Sequence, residues 1–166
     1  RVLKQTTGLK QIFMEQVETF ARPGRDPEAR VISISYYALI RIDEHDEMRV
    51  REHGANWWPI TKLPKMIFDH GEMVEKAQAR LQQMAGFTLV GKELLPEKFT
   101  LMQLRKLYEA IFLREFDPGN FRKKILSLDA LERLDTKNFT ESKKGAFYYK
   151  CKNLESEKVL ERIVKV

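Results

Sequence analysis

The sequence has one cysteine, Cys151, so it cannot form a disulfide bond within the chain. It lacks any apolar run near the ~20 residues that a membrane span needs, and its first residues do not have the pattern of a secretory signal peptide. The histidines, His45, His53 and His70, do not have the spacing of metal ligands. These absences count against a disulfide-stapled secreted domain, a membrane protein and a zinc site. They favour a cytoplasmic protein that needs no cofactor.

Acidic residues are in short supply in only one stretch of the chain. The whole sequence has 30 Lys and Arg against 24 Asp and Glu, a net charge of +6. Residues 98–152 contain 13 of the basic and 7 of the acidic residues, so the entire excess lies there. A local basic excess favours a polyanionic partner, although a solvated basic face has the same composition.

The first half of the sequence predicts a mixed domain. We expect a short helix at residues 1–7, strands at 12–20, 30–42 and 55–59, and a helix at 68–84 with Asp69 as its N-cap. Apolar or small residues on both faces of the strand at 30–42 are typical of a central strand. A charged connection at 43–53 is expected to be exposed, whereas Trp57 and Trp58 are expected to pack in a core or between domains. The glycines and proline of residues 86–98 predict a linker, with domains at 1–90 and 91–166.

Past residue 98 the pattern changes to helices with tight turns. Thr100 and Gln103 have the spacing of a capping box, and Asp117-Pro118 begins a second helix that runs to about residue 128. Strands at 131–136 and 146–152 follow as a hairpin, whose connection includes Lys143-Lys144-Gly145. A helix, a short turn, a basic helix and a hairpin with a basic tip form the order of a winged helix-turn-helix.

Each part of this predicted motif has a task on DNA. The first helix presents its N-terminal N–H groups to a phosphate, and the second enters the major groove, where Arg and Lys donate to guanine and Asn pairs with adenine. The cations of the hairpin tip contact phosphate or the minor groove. The predicted DNA-binding residues are Thr100, Gln103, Asn120, Arg122, Lys123, Lys124, Ser127, Lys143 and Lys144. A helical dimerisation or capping module with a solvated basic face is the alternative, but the combination of features favours DNA.

Residues 1–9 resemble the end of the Nudix box, Arg-Glu-apolar-X-Glu-Glu-X-Gly-apolar. Arg1, Leu3, Gly8 and Leu9 match the pattern, but the three glutamate positions are Val2, Gln5 and Thr6. In active Nudix hydrolases these carboxylates hold the divalent metals, which need anionic oxygens. The resemblance therefore implies a Nudix domain without its metal ligands and without catalysis.

Further segments extend the resemblance along nearly the whole chain. Those segments are residues 20–42, Trp57-Trp58-Pro59, Phe68-Asp69-His70, residues 95–104, Leu107-Tyr108-Glu109-Ala110 and residues 120–124. Together they are similar to Nudix-related transcriptional regulators, bacterial repressors with a degenerate Nudix sensor and a C-terminal winged helix. The implied fold class is α+β: the C-terminal part of a Nudix-type α/β/α sandwich, lacking its N-terminal strands, followed by the winged helix-turn-helix.

The resemblance also implies a homodimer and a small-molecule effector, which is ADP-ribose or, in an arabinose-type branch of Bacteroidetes regulators, a sugar. This sequence looks closer to the arabinose-type branch. Arg25, Asp26 and Tyr37 are the candidate effector-binding residues, although Asp-Pro is also common in turns and a strand tyrosine also packs in cores.

The alternatives to a repressor are an active Nudix hydrolase of a compound such as ADP-ribose, and a non-catalytic interaction module that binds no DNA. Because the chain starts with Arg1 inside a predicted helix, we expect that an N-terminal portion is missing.

Overall fold

The computed structural model describes residues 14–40, 53–87, 89, 94–141 and 143–152. The box positions Val2, Gln5 and Thr6, the helix predicted at 1–7 and most of the charged connection at 43–53 lie outside these residues. The chain divides into two compact units, Arg1–Arg80 and Leu81–Val166. The boundary predicted between residues 90 and 91 stays a prediction. In the part of the chain that the structure describes, no helix has both the length and the apolar character to cross a membrane.

An antiparallel hairpin forms the sheet of the first unit. Strand β1 spans Met14–Phe20 and strand β2 spans Ser33–Ala38, with a bulge between Gln16 and Glu18. The loop between them turns at Gly24, whose φ of +74° favours glycine. Strand β2 pairs with β1 alone among the described residues, and Ile34 on its outer face is 52% exposed. The central position predicted for this strand is therefore not what the described residues show.

The strand predicted at residues 55–59 is wrong. This segment is irregular and leads into a 3-10 helix at Ile60–Lys62. Pro59, the last residue of the segment, has no N–H group to donate to a strand ladder. Trp57 and Trp58 are 42% and 56% exposed, so they do not lie in a core among the described residues, and the alternative of packing between domains stays a prediction.

Helix α1 spans His70–Phe87, and ion pairs join its N-terminal part, together with Asp69 just before it, to the hairpin. Those pairs are Arg22–Glu72, Arg25–Asp69, Lys76–Glu18 and Arg80–Glu15. Arg25 and Asp69 are the most buried of them, with side chains only 5% and 9% exposed. Asp69 accepts from Nε and Nη2 of Arg25, each at 2.7 Å. Asp69 thus binds a loop that is distant in the sequence.

The second unit has a three-stranded sheet covered by two helices. The elements are β3 at Phe99–Thr100, α2 at Leu101–Phe112, α3 at Pro118–Ser127, β4 at Leu131–Asn138 and β5 at Ala146–Cys151, in the strand order β3-β5-β4. Tyr108 and Tyr149 lie in one apolar core with residues from every element. The predicted order of helices and hairpin is confirmed. Cys151 packs against this core.

Acidification tests the ion pair between Arg25 and Asp69. The hydrogen bonds that Asp69 accepts from Arg25 lower the pKa of Asp69 below the ordinary value near 3.8. The pair therefore stabilises the folded state above that pH. The stabilisation is lost as the pH falls through the lowered pKa. We expect Asp69→Asn to lower the melting temperature at pH 7, and the difference from wild type to narrow below about pH 3.8. Glu28→Gln, in the same loop, is the control. A difference that does not depend on pH would contradict this account.

Candidate nucleic-acid interface

A capping box starts helix α2, as the sequence predicts. Thr100 Oγ1 accepts from the Gln103 backbone N–H at 3.2 Å, and Gln103 Oε1 accepts from the Thr100 N–H at 2.9 Å. The Thr100 side chain is fully buried, and its hydroxyl donates to Glu141 Oε2 at 2.6 Å. The structure therefore gives Thr100 a role in the fold, and its contact with DNA stays a prediction. Gln103 is half-buried.

The turn between α2 and α3 is held by charged side chains. Leu113 ends α2 in the left-handed conformation, at φ 53°. Glu109 Oε1 then accepts from Arg105 Nη1 at 2.7 Å and from the Phe116 N–H at 3.0 Å. Arg105 also donates to the Phe116 carbonyl at 3.0 Å. These bonds give the backbone N–H and carbonyl of Phe116 their partners, and they fix the start of α3 relative to α2.

Helix α3 buries one face and exposes the other. Asp117 caps it by accepting from the Asn120 N–H at 2.8 Å, and Pro118 occupies its first turn. Phe121 and Ile125 are 6% and 0% exposed, and they anchor the helix in the core. Of the predicted DNA-binding residues on this helix, Asn120, Arg122, Lys123 and Ser127 are exposed and Lys124 is half-buried. Because these side chains lie on α3 opposite its anchors, they form one outward surface.

Lys143 and Lys144 lie exposed at the tip of the hairpin, where the sequence predicts them. The turn before them is ordered by Asn138, whose Oδ1 accepts from the N–H and the hydroxyl of Thr140 at 2.8 and 2.6 Å. Gly145 follows with a φ of +74°, and a Cβ there would lie 2.8 Å from Phe139 and 2.9 Å from the Lys137 side chain. Because glycine has no Cβ, the side chains of Phe139 and Lys137 can both lie close to the backbone of Gly145.

Two further cations on the hairpin were missed by the sequence reasoning. The guanidinium of Arg133 and the ammonium of Lys137 each lie 4.6 Å from the centre of the Phe147 ring. Both residues are in β4 and both are exposed. Basic residues in the first strand of the hairpin, opposite an aromatic residue in the second, were the available signal.

The cations of this unit fall into two groups. Three of them are ion-paired, in the pairs Arg105–Glu109, Lys150–Glu132 and Lys152–Asp129. Among the described residues, seven have no carboxylate partner. Five of the seven lie on α3 or the hairpin, namely Arg122, Lys123, Arg133, Lys137 and Lys143, and the other two are Lys98 and Lys106. A surface of unneutralised cations attracts a polyanion over a distance set by the ionic strength.

The predicted effector-binding residues are engaged within the first unit. Besides its bonds to Asp69, Arg25 donates from Nη1 to Ser33 Oγ at 2.8 Å. Asp26 accepts from the Glu28 N–H at 2.9 Å, which is an Asx turn. Tyr37 donates to Glu15 Oε2 at 2.6 Å, and desolvation together with this carboxylate raises the pKa of Tyr37 to about 12. Their effector role stays a prediction.

No cluster of carboxylate, imidazole or thiol groups suited to a metal ion occurs in the described part of the chain. Glu15 and Glu18 form ion pairs with Arg80 and Lys76. Glu18 also raises the pKa of Lys76 above its ordinary value near 10.5 by accepting two hydrogen bonds from it.

The second unit matches a family model over residues 91–151, described as the NrtR DNA-binding winged helix domain. Residues 91–151 are therefore similar to an NrtR-type winged helix domain. The second helix of its helix-turn-helix is α3, and we call residues 131–151, which hold β4 and β5, the wing. The predicted winged helix is thereby confirmed.

The resemblance extends beyond the winged helix domain. Over 150 residues the chain is 25% identical to an ADPR responsive transcriptional repressor of Acinetobacter baylyi, covering 89% of this chain and 60% of that protein. Shewanella oneidensis NrtR, solved in complex with a 27mer DNA, has a TM-score of 0.71 and 26% identity, covering 90% of this chain and 69% of that chain. A MutT/nudix family protein of Enterococcus faecalis has a TM-score of 0.52 and 22% identity, covering 84% and 62% of the two chains. The α+β fold class, a Nudix-type fold followed by a winged helix, is confirmed.

The stability of the winged helix domain should depend on the Thr100 hydroxyl. Thr100→Ala removes the N-cap of α2 and the donor to Glu141, so we expect a loss of about 1–2 kcal/mol in the free energy of unfolding. Thr100→Ser keeps the hydroxyl and should retain most of this stability. Urea denaturation measures both variants. Equal losses in the two would show that the methyl group, rather than the cap, carries the effect.

Proposed function

We propose that the protein is a transcriptional repressor whose winged helix domain binds operator DNA under the control of a small-molecule effector. The observation that carries the proposal is the group of cations without carboxylate partners on α3 and the wing of an NrtR-type winged helix domain. The helix-turn-helix presents α3 as the element that enters the major groove. The repressor activity of the relative in Acinetobacter baylyi and the DNA complex of Shewanella oneidensis NrtR support the same partner.

Within this proposal, α3 and the wing divide the contacts. Arg122 and Lys123 donate to base edges in the major groove, where Arg reads guanine O6 and N7 and Asn120 is suited to adenine. Lys143 and Lys144 contact the phosphates beside the groove and add affinity without reading sequence. The buried hydroxyl of Thr100 supports this surface from within the domain.

The effector is proposed to bind the Nudix-type unit, and ADP-ribose is the first candidate because the Acinetobacter relative is named as ADPR responsive. A free sugar, as in an arabinose-responsive regulator, is the second candidate. We also propose a homodimer, because dimeric helix-turn-helix repressors match the two-fold symmetry of their operators, and a place in the cytoplasm, where bacterial operator DNA lies. Val2, Gln5 and Thr6 at the glutamate positions of the box favour sensing over hydrolysis.

A DNA-binding assay tests the proposed repressor. The full-length protein should bind a fluorescein-labelled duplex from the region upstream of its own gene at ~50 mM salt, which an electrophoretic mobility shift detects. Arg122→Ala with Lys123→Ala should weaken that binding on the order of 100-fold, because two base contacts are lost. Lys150→Ala, in an ion pair on β5, is the matched control. A wild-type protein that binds no DNA would overturn the function, and an unaffected double variant would overturn the place of α3 in the groove.

A thermal-shift titration tests the effector. We expect ADP-ribose, or else arabinose, to raise the melting temperature and to weaken DNA binding, since coupling between two ligands is reciprocal. AMP and ribose are the controls for parts of the larger ligand. No shift with either candidate would contradict effector control by these compounds. Magnesium-dependent turnover of ADP-ribose would show that the protein is a hydrolase instead.

A further inference from the structure

We infer that Arg133 and Lys137 form a phosphate clamp on the wing, held in place by the ring of Phe147. The clamp contacts the DNA backbone independently of the base-reading residues of α3 and of the lysines at the wing tip. This inference rests on the proposed function, because it assumes that the polyanion is DNA. It adds a contact region that basic clusters in the sequence do not indicate.

The first support is the geometry around Phe147. Both cationic groups lie 4.6 Å from the same ring centre, within the ~6 Å at which a cation is attracted to an aromatic face. The ring is half-buried because Phe147 also packs against the core of the domain. The core packing therefore fixes the position of the Phe147 ring, and the ring restrains the side chains of Arg133 and Lys137.

The second support is the strand register, which places the clamp on the side of the sheet that the helices cover. Arg133 pairs with Tyr149, and Lys137 pairs with Phe147. Partners in an antiparallel ladder share a face of the sheet, and Tyr149 is buried in the core beneath the helices. The two cations thus continue the helix side of the sheet outward along the wing. That side also carries α3, whose Phe121 and Ile125 lie in the same core.

The third support is the way the stem of Lys137 is confined. Gly145 lies across from it, where a Cβ would be 2.9 Å from Lys137 Cδ and 3.1 Å from Lys137 Cβ. The stem is therefore held between a glycine backbone and an aromatic ring. A side chain restrained before binding loses less rotamer freedom when it meets its ligand.

The fourth support is that the two charges are not neutralised. Neither Arg133 nor Lys137 has an ion pair among the described residues, whereas Lys150 on the neighbouring strand is paired with Glu132 at 3.3 Å. Two cations held on one ring repel each other, and a phosphate oxygen between or beside them removes that repulsion. The Arg fork fits a phosphate in two hydrogen bonds, and the lysine adds a point charge.

The salt dependence of DNA binding measures the clamp. Each phosphate contact adds about 0.9 to the slope of log affinity against log salt, so Arg133→Ala with Lys137→Ala should make the slope shallower by roughly 2. Affinity should fall roughly 10-fold at ~100 mM salt, equally for the upstream duplex and for a duplex of random sequence. Lys150→Ala, which removes an ion-paired cation, should leave the slope nearly unchanged. A double variant with the wild-type slope would overturn the clamp.

The Phe147→Leu variant tests the contribution of the ring separately from that of the two charges. The variant keeps both cations and most of the apolar contact, so the slope should stay as in wild type while affinity falls roughly threefold, because the side chains are no longer held in place. Unchanged affinity in this variant would show that the ring does not position the clamp. Melting temperatures of all variants, read beside the affinities, separate loss of fold from loss of contact.

The same experiment distinguishes the clamp from the proposed function and from another phosphate source. If the wild-type protein binds neither duplex, the proposed function fails. If it binds and Arg122→Ala with Lys123→Ala weakens it, the function stands and the clamp is judged by its own variants. The clamp variant should also keep the thermal shift that ADP-ribose produces in the wild type. Loss of that shift would assign the two cations to the effector and overturn the DNA clamp.

Discussion

One oxygen atom, the Thr100 hydroxyl, joins three parts of the winged helix domain. Thr100 ends strand β3 in register with Tyr148, its Oγ1 caps α2 through the Gln103 N–H, and the same oxygen donates to Glu141 beyond the end of β4. The start of α2 is thereby tied both to the sheet and to the connection of the wing. A buried hydroxyl that loses its partners costs more than the hydrogen bonds themselves, so this junction tolerates little movement. The angle of the helix pair to the wing depends on it.

The domain uses its charges in two ways. Charged residues that hold the fold are paired, as Arg105 and Glu109 are across the turn between the helices. Most of the cations without carboxylate partners among the described residues of this domain lie on α3 and on the wing instead. Because unpaired charges repel one another, the bare domain bears an electrostatic cost that a polyanion removes on binding. This division links the local packing of the domain to its proposed partner.

The C-terminal elements were readable from the sequence because their signals are local. The capping box depends on residues three apart, and the start of α3 depends on the adjacent Asp117 and Pro118. In the first half, the determining contact is the pair of Arg25 with Asp69, 44 positions apart, which no periodicity reveals. Likewise, the meeting of Arg133 and Lys137 on Phe147 depends on an irregular register in the ladder of β4 and β5. Features set by residues close together in the sequence were predictable, whereas contacts between distant segments were not.

The exposed face of α3 has a consequence for how such a domain diverges. The side chains that hold α3 in place are Phe121 and Ile125, together with the Asp117 cap, and they are different from Arg122 and Lys123. Substitutions at the two outward positions therefore leave packing and capping intact, and surface changes of that kind cost little stability. If Arg122 and Lys123 read bases as proposed, the DNA sequence that the domain prefers can change at these positions without a compensating change in the core. In the proposed repressor, the residues that hold the fold are thus separate from those that select the operator.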